Sequence, residues 1–186
     1  MNTQINTMPA GFQPAKSEFF VMNGEVQFIE DRLIHPFDEI TIDQATTLRQ
    51  ELDADHKALA GLDLLGVTDP IEQLKQFVFC RFGEFDKIAD LDENGITHSE
   101  YWDCGRRPCA ADGLLCKFPE VKSGHLTHHD LVIIRMVAKD LTNQQIAAYL
   151  GTSVHTVNKE CQQIAHKIGG FSKSIIAFFA GKNNIH

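Results

Sequence analysis

The chain is short of the features that would place it outside the cytoplasm or mark it as an enzyme. Its opening residues, MNTQINTMPA, have no basic stretch followed by an apolar one, so no secretory signal is expected. No apolar run approaches the roughly 18 residues that a spanning helix needs, and no membrane association is expected. A cytoplasmic location is therefore predicted, where thiols stay reduced. There is no Ser/His/Asp order, no P-loop and no H-E-x-x-H motif. His128 and His129 are adjacent, so on a helix they point to different faces. No catalytic residue and no enzymatic activity are predicted. Strands and helices do not alternate as five βα units, which excludes a phosphoacceptor receiver. Internal repeats and low-complexity tracts are also missing.

What is present is an ordinary globular composition with an uneven charge. The 186 residues are 43% hydrophobic and 23% charged, enough for one or two domains with real cores. Residues 1–123 hold 11 Lys and Arg against 22 Asp and Glu, a net of −11. Residues 124–186 hold 6 against 3, a net of +3, with six of the nine histidines. An acidic body joined to a mildly basic tail predicts that only the tail meets a polyanion.

Along the chain, residues 1–17 read as a loose polar arm and residues 18–116 as a small α+β region. Asn23-Gly24 lies between two β-prone runs, FFVM and EVQFI, and signals a type I′ hairpin. Residues 42–60 read as one helix, with Ala45, Leu48, Leu52 and Leu59 sharing a face. A second helix begins at Asp69-Pro70-Ile71-Glu72, with Asp as N-cap and Pro in the first turn, and runs toward Cys80. DLDENGITHSEY, residues 90–101, starts like a calcium loop, but position 12 is Tyr101 and the later ligands are out of step. A plain Asn-Gly turn is the better reading. Residues 117–124 carry the Pro, Gly and charge of a linker, and residues 125–186 form a second domain.

That last segment is consistent at every level. Thr127 with Asp130, and Thr142 with Gln145, form capping boxes three residues apart, and Ser153 caps a helix over about 154–167. Between the second and third helices, Ala147 is small where helices must cross. Gly151 suits a turn with φ > 0, and Val157 points back into the crossing beside Ile146, Leu150 and Ile164. This Ala-x3-Gly-x5-Val spacing fits a helix-turn-helix. A plain three-helix bundle explains the apolar positions equally well, but not the face left free on the third helix. His155, Asn158, Lys159 and Gln162, with Ser153 and Thr156 at its start, are side chains that donate to phosphates and pair with base edges. Double-stranded DNA is the partner they predict.

The series LT-x2-D-x3-I-x2-VA-x2-LTNQQIAAYL-x-TS-x2-TV-x10-IG-x2-SK resembles the LuxR/GerE-type DNA-binding domain of bacterial regulators over about residues 125–181. The resemblance implies four helices, the third in the major groove and the fourth, about 172–180, supporting a homodimer. It further implies that Asn158, Lys159 and Gln162 face bases, while Thr142, Ser153, Thr156, Lys167 and Lys173 hold phosphates. The sequence departs from the family pattern in three places. Asp130 stands where Glu is usual, Asp140 where Gly is common, and Glu160 where His is common. The promoter-reading region of sigma factors shares the core pattern but lacks the added fourth helix.

The cysteines are the second cluster. Cys80, Cys104, Cys109 and Cys116 are spaced C-x23-C-x4-C-x6-C, with Gly105, Pro108 and Gly113 among the last three. Four thiolates suit tetrahedral zinc, and also an iron–sulfur cluster, although the tight C-x2-C knuckle is missing. Buried free thiols are the ordinary alternative. Arg81, Arg106 and Arg107 adjoin three of the positions and would offset thiolate charge. Cys161, inside the third helix, is expected to pack.

The whole predicts a mainly α, overall α+β protein: a hairpin-bearing α+β region, a Cys-rich segment and a four-helix LuxR-type helix-turn-helix domain. The function predicted is a homodimeric DNA-binding transcriptional regulator. A regulator whose cysteine centre senses metal or redox state, and an interaction protein whose helix-turn-helix no longer binds DNA, are the rivals.

Overall fold

A computed structural model describes residues 16–85, 88–102, 104–106, 108–183 and 185. The expected arm falls almost wholly outside these, as does Arg107. The described residues divide between two units, Met1–Lys117 and Phe118–His186. The architecture is mainly α, with seven α-helices and one three-stranded sheet among the described residues.

In the first unit, strands β1 (Glu18–Met22) and β2 (Glu25–Glu30) pair antiparallel, with Met22 opposite Glu25. Asn23 and Gly24 take φ of 55° and 83°, the positive values that the Asn-Gly signal predicts. A third strand, β3 (Leu33–Pro36), pairs with β2. Sequence reasoning missed it, because Leu33 and Ile34 stay exposed and leave no alternating pattern to read. The outer edge of β1 is not left open. Ser17 exchanges two backbone hydrogen bonds with Leu91, the Phe19 N–H donates to Asp90 at 2.7 Å, and the Val21 N–H donates to the Gly83 carbonyl at 3.1 Å. Covering the edge in this way removes a template for pairing with other chains.

Helix α1 (Ile42–Ala54) opens with a complete Thr41–Gln44 capping box. The single helix expected over 42–60 is in fact two, because the chain breaks at Asp55. Asp55 leaves helical geometry (φ −97°, ψ 87°), and its carboxylate accepts the N–H groups of Lys57 and Ala58 to start α2 (His56–Leu64). An aspartate whose side chain competes for free amides favours a cap over a helix interior. Helix α3 (Pro70–Arg81) starts as predicted, with Asp69 accepting from Ile71 and Glu72. Phe19, Phe28, Phe77 and Phe82 meet between sheet and helices, with Leu48, Leu52, Leu62 and Leu115 around them. Each fully buried side chain of this size stabilises by roughly 1.5–3 kcal/mol. In the DLDENG stretch, Asp92 accepts the N–H groups of Asn94 and Ile96 and Gly95 takes φ 70°, which makes a turn.

The second unit has four helices: α4 (His128–Ala138), α5 (Asn143–Leu150), α6 (Val154–Ile168) and α7 (Lys173–Lys182). Both expected capping boxes close, and Ser153 accepts from the Thr156 N–H. Ser172 begins α7 without a side-chain cap bond. Leu131, Ile134, Ile146, Val157, Ile164 and Ile176 fill the centre. Part of the expected linker belongs to this unit, since the Phe118 ring lies edge-on to His128 and the Ser123 N–H donates to the Lys167 carbonyl.

Asp55 also receives the Arg81 guanidinium at 2.7 Å, and Arg81 is only 8% exposed. Burial pushes the Asp55 carboxyl up, but the Ala58 N–H and the Arg81 charge together hold it below its ordinary value. Asp55→Ala removes a cap and strands a buried cation. It is expected to destabilise the first unit by about 2–4 kcal/mol, read as a lower urea midpoint in Trp102 fluorescence.

Candidate nucleic-acid interface

The site is built on the turn between α5 and α6. Gly151 ends α5 with φ 64°, a conformation that a Cβ would strain, and the Thr152 N–H closes back on the Ala147 carbonyl at 3.0 Å. Ala147 and Val157 are buried in the crossing, as their spacing predicts. The turn therefore fixes α6 so that one side enters the core and the other faces outward. Val157, Cys161, Ile164 and Ile168 make the inner side. Cys161 is a packing thiol here, and burial pushes its pKa up.

On the outer side, His155, Asn158, Lys159 and Gln162 are all exposed, and Ser153 and Thr156 stand at the helix start with their hydroxyls 2.8 Å apart. Lys159 and Gln162 line an open hollow of about 690 Å³ together with Gln163, His166 and Lys167. Gln163 and His166 were not singled out in the sequence. Their positions four and seven residues beyond Lys159 put them on the same stripe, and that periodicity was the available signal. Tyr149, 75% exposed on α5, was missed likewise.

Several expected DNA contacts have internal partners. Thr142 closes the capping box of α5. Asn158 accepts from the Asn143 side-chain amide. Lys173 donates to the Leu141 carbonyl and to Asn143 Oδ1 at 2.9 Å. Lys167 donates to Asp130 at 2.8 Å. A phosphate reaching Lys167 would have to compete with that carboxylate. Glu160, the carboxylate that departs from the family pattern, is turned toward α4, where His129 Nε2 donates to it at 2.9 Å. It therefore does not lie among the outward polar side chains. Asp140, the second departure, takes φ 58°, the left-handed conformation that glycine accommodates more readily.

The cysteines of the first unit form no disulfide, and Cys80, Cys104, Cys109 and Cys116 are all half-buried. Among the described residues, no group of three or more His, Cys, Asp or Glu side chains is placed to hold a metal ion. The Arg106 guanidinium rests 3.8 Å from the Phe79 ring centre. A second hollow, of about 750 Å³, lies between α1 and the start of α3, where Ile42 and Ile71 are exposed beside Arg49 and Gln50. It shares no residue with the outward face of α6. No described helix is long and apolar enough to cross a membrane.

Residues 124–180, about a third of the chain, match the model of a family described as bacterial regulatory proteins, luxR family. Searches of curated proteins and of solved structures found no significant match.

The Asp130 carboxylate is the keystone beneath this face. Burial pushes its pKa up, but the Lys167 ammonium and the Thr127 N–H and hydroxyl more than offset this and hold it below the ordinary range. A carboxyl with a lowered folded pKa stabilises fully above its unfolded value of about 3.9, and that contribution is lost as pH falls through the folded value. Asp130→Asn is expected to destabilise the second unit by about 1–3 kcal/mol at neutral pH. Hydrogen exchange of peptides spanning 128–168 should show faster opening at pH 7, with the gap from the parent protein closing in acid.

Proposed function

With residues 124–180 forming a helix-turn-helix domain of the LuxR family, we propose that the chain is a sequence-specific DNA-binding transcriptional regulator. The observation that carries this reading is the exposed polar side of α6, held outward by the left-handed Gly151 turn. In the proposed docking, α6 enters the major groove. Asn158, Lys159 and Gln162 meet base edges, and His155 lies at the groove wall. Ser153, Thr156 and Thr142 sit at the starts of α6 and α5, where helix dipoles favour phosphate. Lys167 and Lys173 join them if DNA draws them from Asp130 and Asn143. Gln163 and His166 extend the contact by one turn.

A homodimer is the assembly proposed, with two half-sites related by its symmetry. Its support is α7, where Phe178 is 70% exposed, and Phe171 just before it, at 93%. Aromatic rings left so open on a small domain favour a protein contact.

The test is a fluorescence-anisotropy titration of the full chain against selected duplexes at several salt concentrations. Lys159→Ala should weaken binding to every sequence and flatten the log–log salt dependence by about one unit. Gln162→Ala should cost about 1–3 kcal/mol on the preferred duplex only, relaxing choice at one base pair. If no selected duplex binds better than random DNA, and neither variant changes the curve, the domain is an interaction module and the proposed docking is wrong.

A further inference from the structure

The proposed docking gives Asn158 a base edge to meet but does not say which base. The hydrogen bonds behind this side chain narrow the choice. Three residues, one each from α5, α6 and α7, form a row. Lys173, the first residue of α7, donates from Nζ to the Leu141 carbonyl at 2.6 Å and to Asn143 Oδ1 at 2.9 Å. Asn143, the first residue of α5, donates in turn from Nδ2 to Asn158 Oδ1 on α6.

The orientation of both amides is dictated from the lysine end. An ammonium carries three donors and no acceptor, so only the oxygen of Asn143 can meet it. That leaves Asn143 Nδ2 for Asn158, and a donor there needs an acceptor opposite. Asn158 therefore turns its own Oδ1 toward α5. The two ends of the row are held in place. Lys173 is half-buried, and the Leu141 residue that accepts from it donates its own N–H to the Met136 carbonyl at 3.1 Å. The start of α5 is set by the Thr142–Gln145 capping box. A charged donor at the head of such a row also strengthens the bond that follows it.

Asparagine reads adenine in the major groove by turning oxygen and nitrogen to the base together, accepting from N6 and donating to N7. Asn158 is exposed, but its oxygen is engaged by α5, so what it has to offer the groove is its pair of donors. Guanine presents two acceptors there, N7 and O6; thymine presents one and cytosine only a donor. We propose that Asn158 reads guanine as a donor only, and that Asn143 and Lys173 are positioning residues that set this choice without touching the base. This depends on α6 lying in the major groove as proposed above, with Lys173 remaining on Asn143.

The test is selection from a randomised duplex library with the full chain, followed by competition anisotropy on single-base variants of the selected site. The base pair read by Asn158 is the one whose preference disappears in Asn158→Ala. At that pair the parent protein should favour guanine over adenine and cytosine by about fivefold or more, and 7-deazaguanine, which lacks N7, should lose about fivefold. Asn143→Asp supplies the reversal. Its carboxylate accepts from Lys173 and from Asn158 Nδ2, so Asn158 turns over, offers its oxygen, and first preference passes to cytosine, whose amino group donates. An aspartate in the first turn suits the helix dipole, so α5 should be kept. Lys173→Met frees Asn143 to turn either way, and the preference for guanine should shrink to within about twofold. A merely structural role for Asn143 would lower affinity for every duplex and leave the order of bases unchanged. The proposal is overturned if the parent prefers another base at this pair, if Asn158→Ala abolishes no preference, or if Asn143→Asp still ranks guanine first. Should Asn143→Asp fail to fold, Lys173→Met and 7-deazaguanine decide: an undiminished preference in both overturns it. A chain that selects a sequence but fails these tests refutes the donor-only reading alone, whereas a chain that selects no sequence refutes the DNA-reading proposal with it.

Discussion

One carboxylate organises the domain that carries the candidate interface. Asp130 accepts from the Thr127 backbone and hydroxyl, closing the first turn of α4, and from Lys167, which lies 37 residues further on at the end of α6. The same oxygen therefore starts α4 and anchors the last turn of α6. With its far end tied to α4 and its near end set by Gly151, α6 has little freedom to roll. The outward placing of its polar side chains depends on both constraints. A glutamate, usual at this position, is one methylene longer. The aspartate holds the box closed only at short range, with a 2.7 Å bond to the Thr127 N–H.

The first unit uses a comparable device with the charges reversed. Arg81 is the buried ion, and it joins the start of α2, through Asp55, to the Leu115 carbonyl. Buried charge is tolerated in each unit because each ion completes its hydrogen bonds on groups from separate elements. In both places the polar contact fixes which segments touch, while Phe and Leu packing supplies most of the stabilisation.

Local chemistry was legible in the sequence and long-range commitment was not. The Asn23-Gly24 hairpin, the Asp69 cap, both capping boxes and the Ala147–Gly151–Val157 crossing all follow from residues within a few positions of one another. The break at Asp55 was hidden because Leu48, Leu52 and Leu59 continue one stripe across it, although an aspartate one residue before a helix start was a usable cue. Asn158, Lys159 and Gln162 are outward as expected. The partners of Lys167 and Lys173 lie 30 or more residues away, so no pattern in the sequence reveals that these cations are already engaged. Glu160 illustrates the same blindness: in the sequence it is only a departure from the family pattern, and the fold pairs it with His129, 31 residues away.

The path of the chain into the second unit has its own consequence. Before reaching α4 it crosses the foot of α6, where the Ser123 N–H holds the Lys167 carbonyl and the Lys122 side chain lies so close over Gly169 that a methyl group there would collide with it. The segment that enters the second unit is therefore fastened to the last turn of α6 before α4 begins, so the two ends of that connection cannot shift independently.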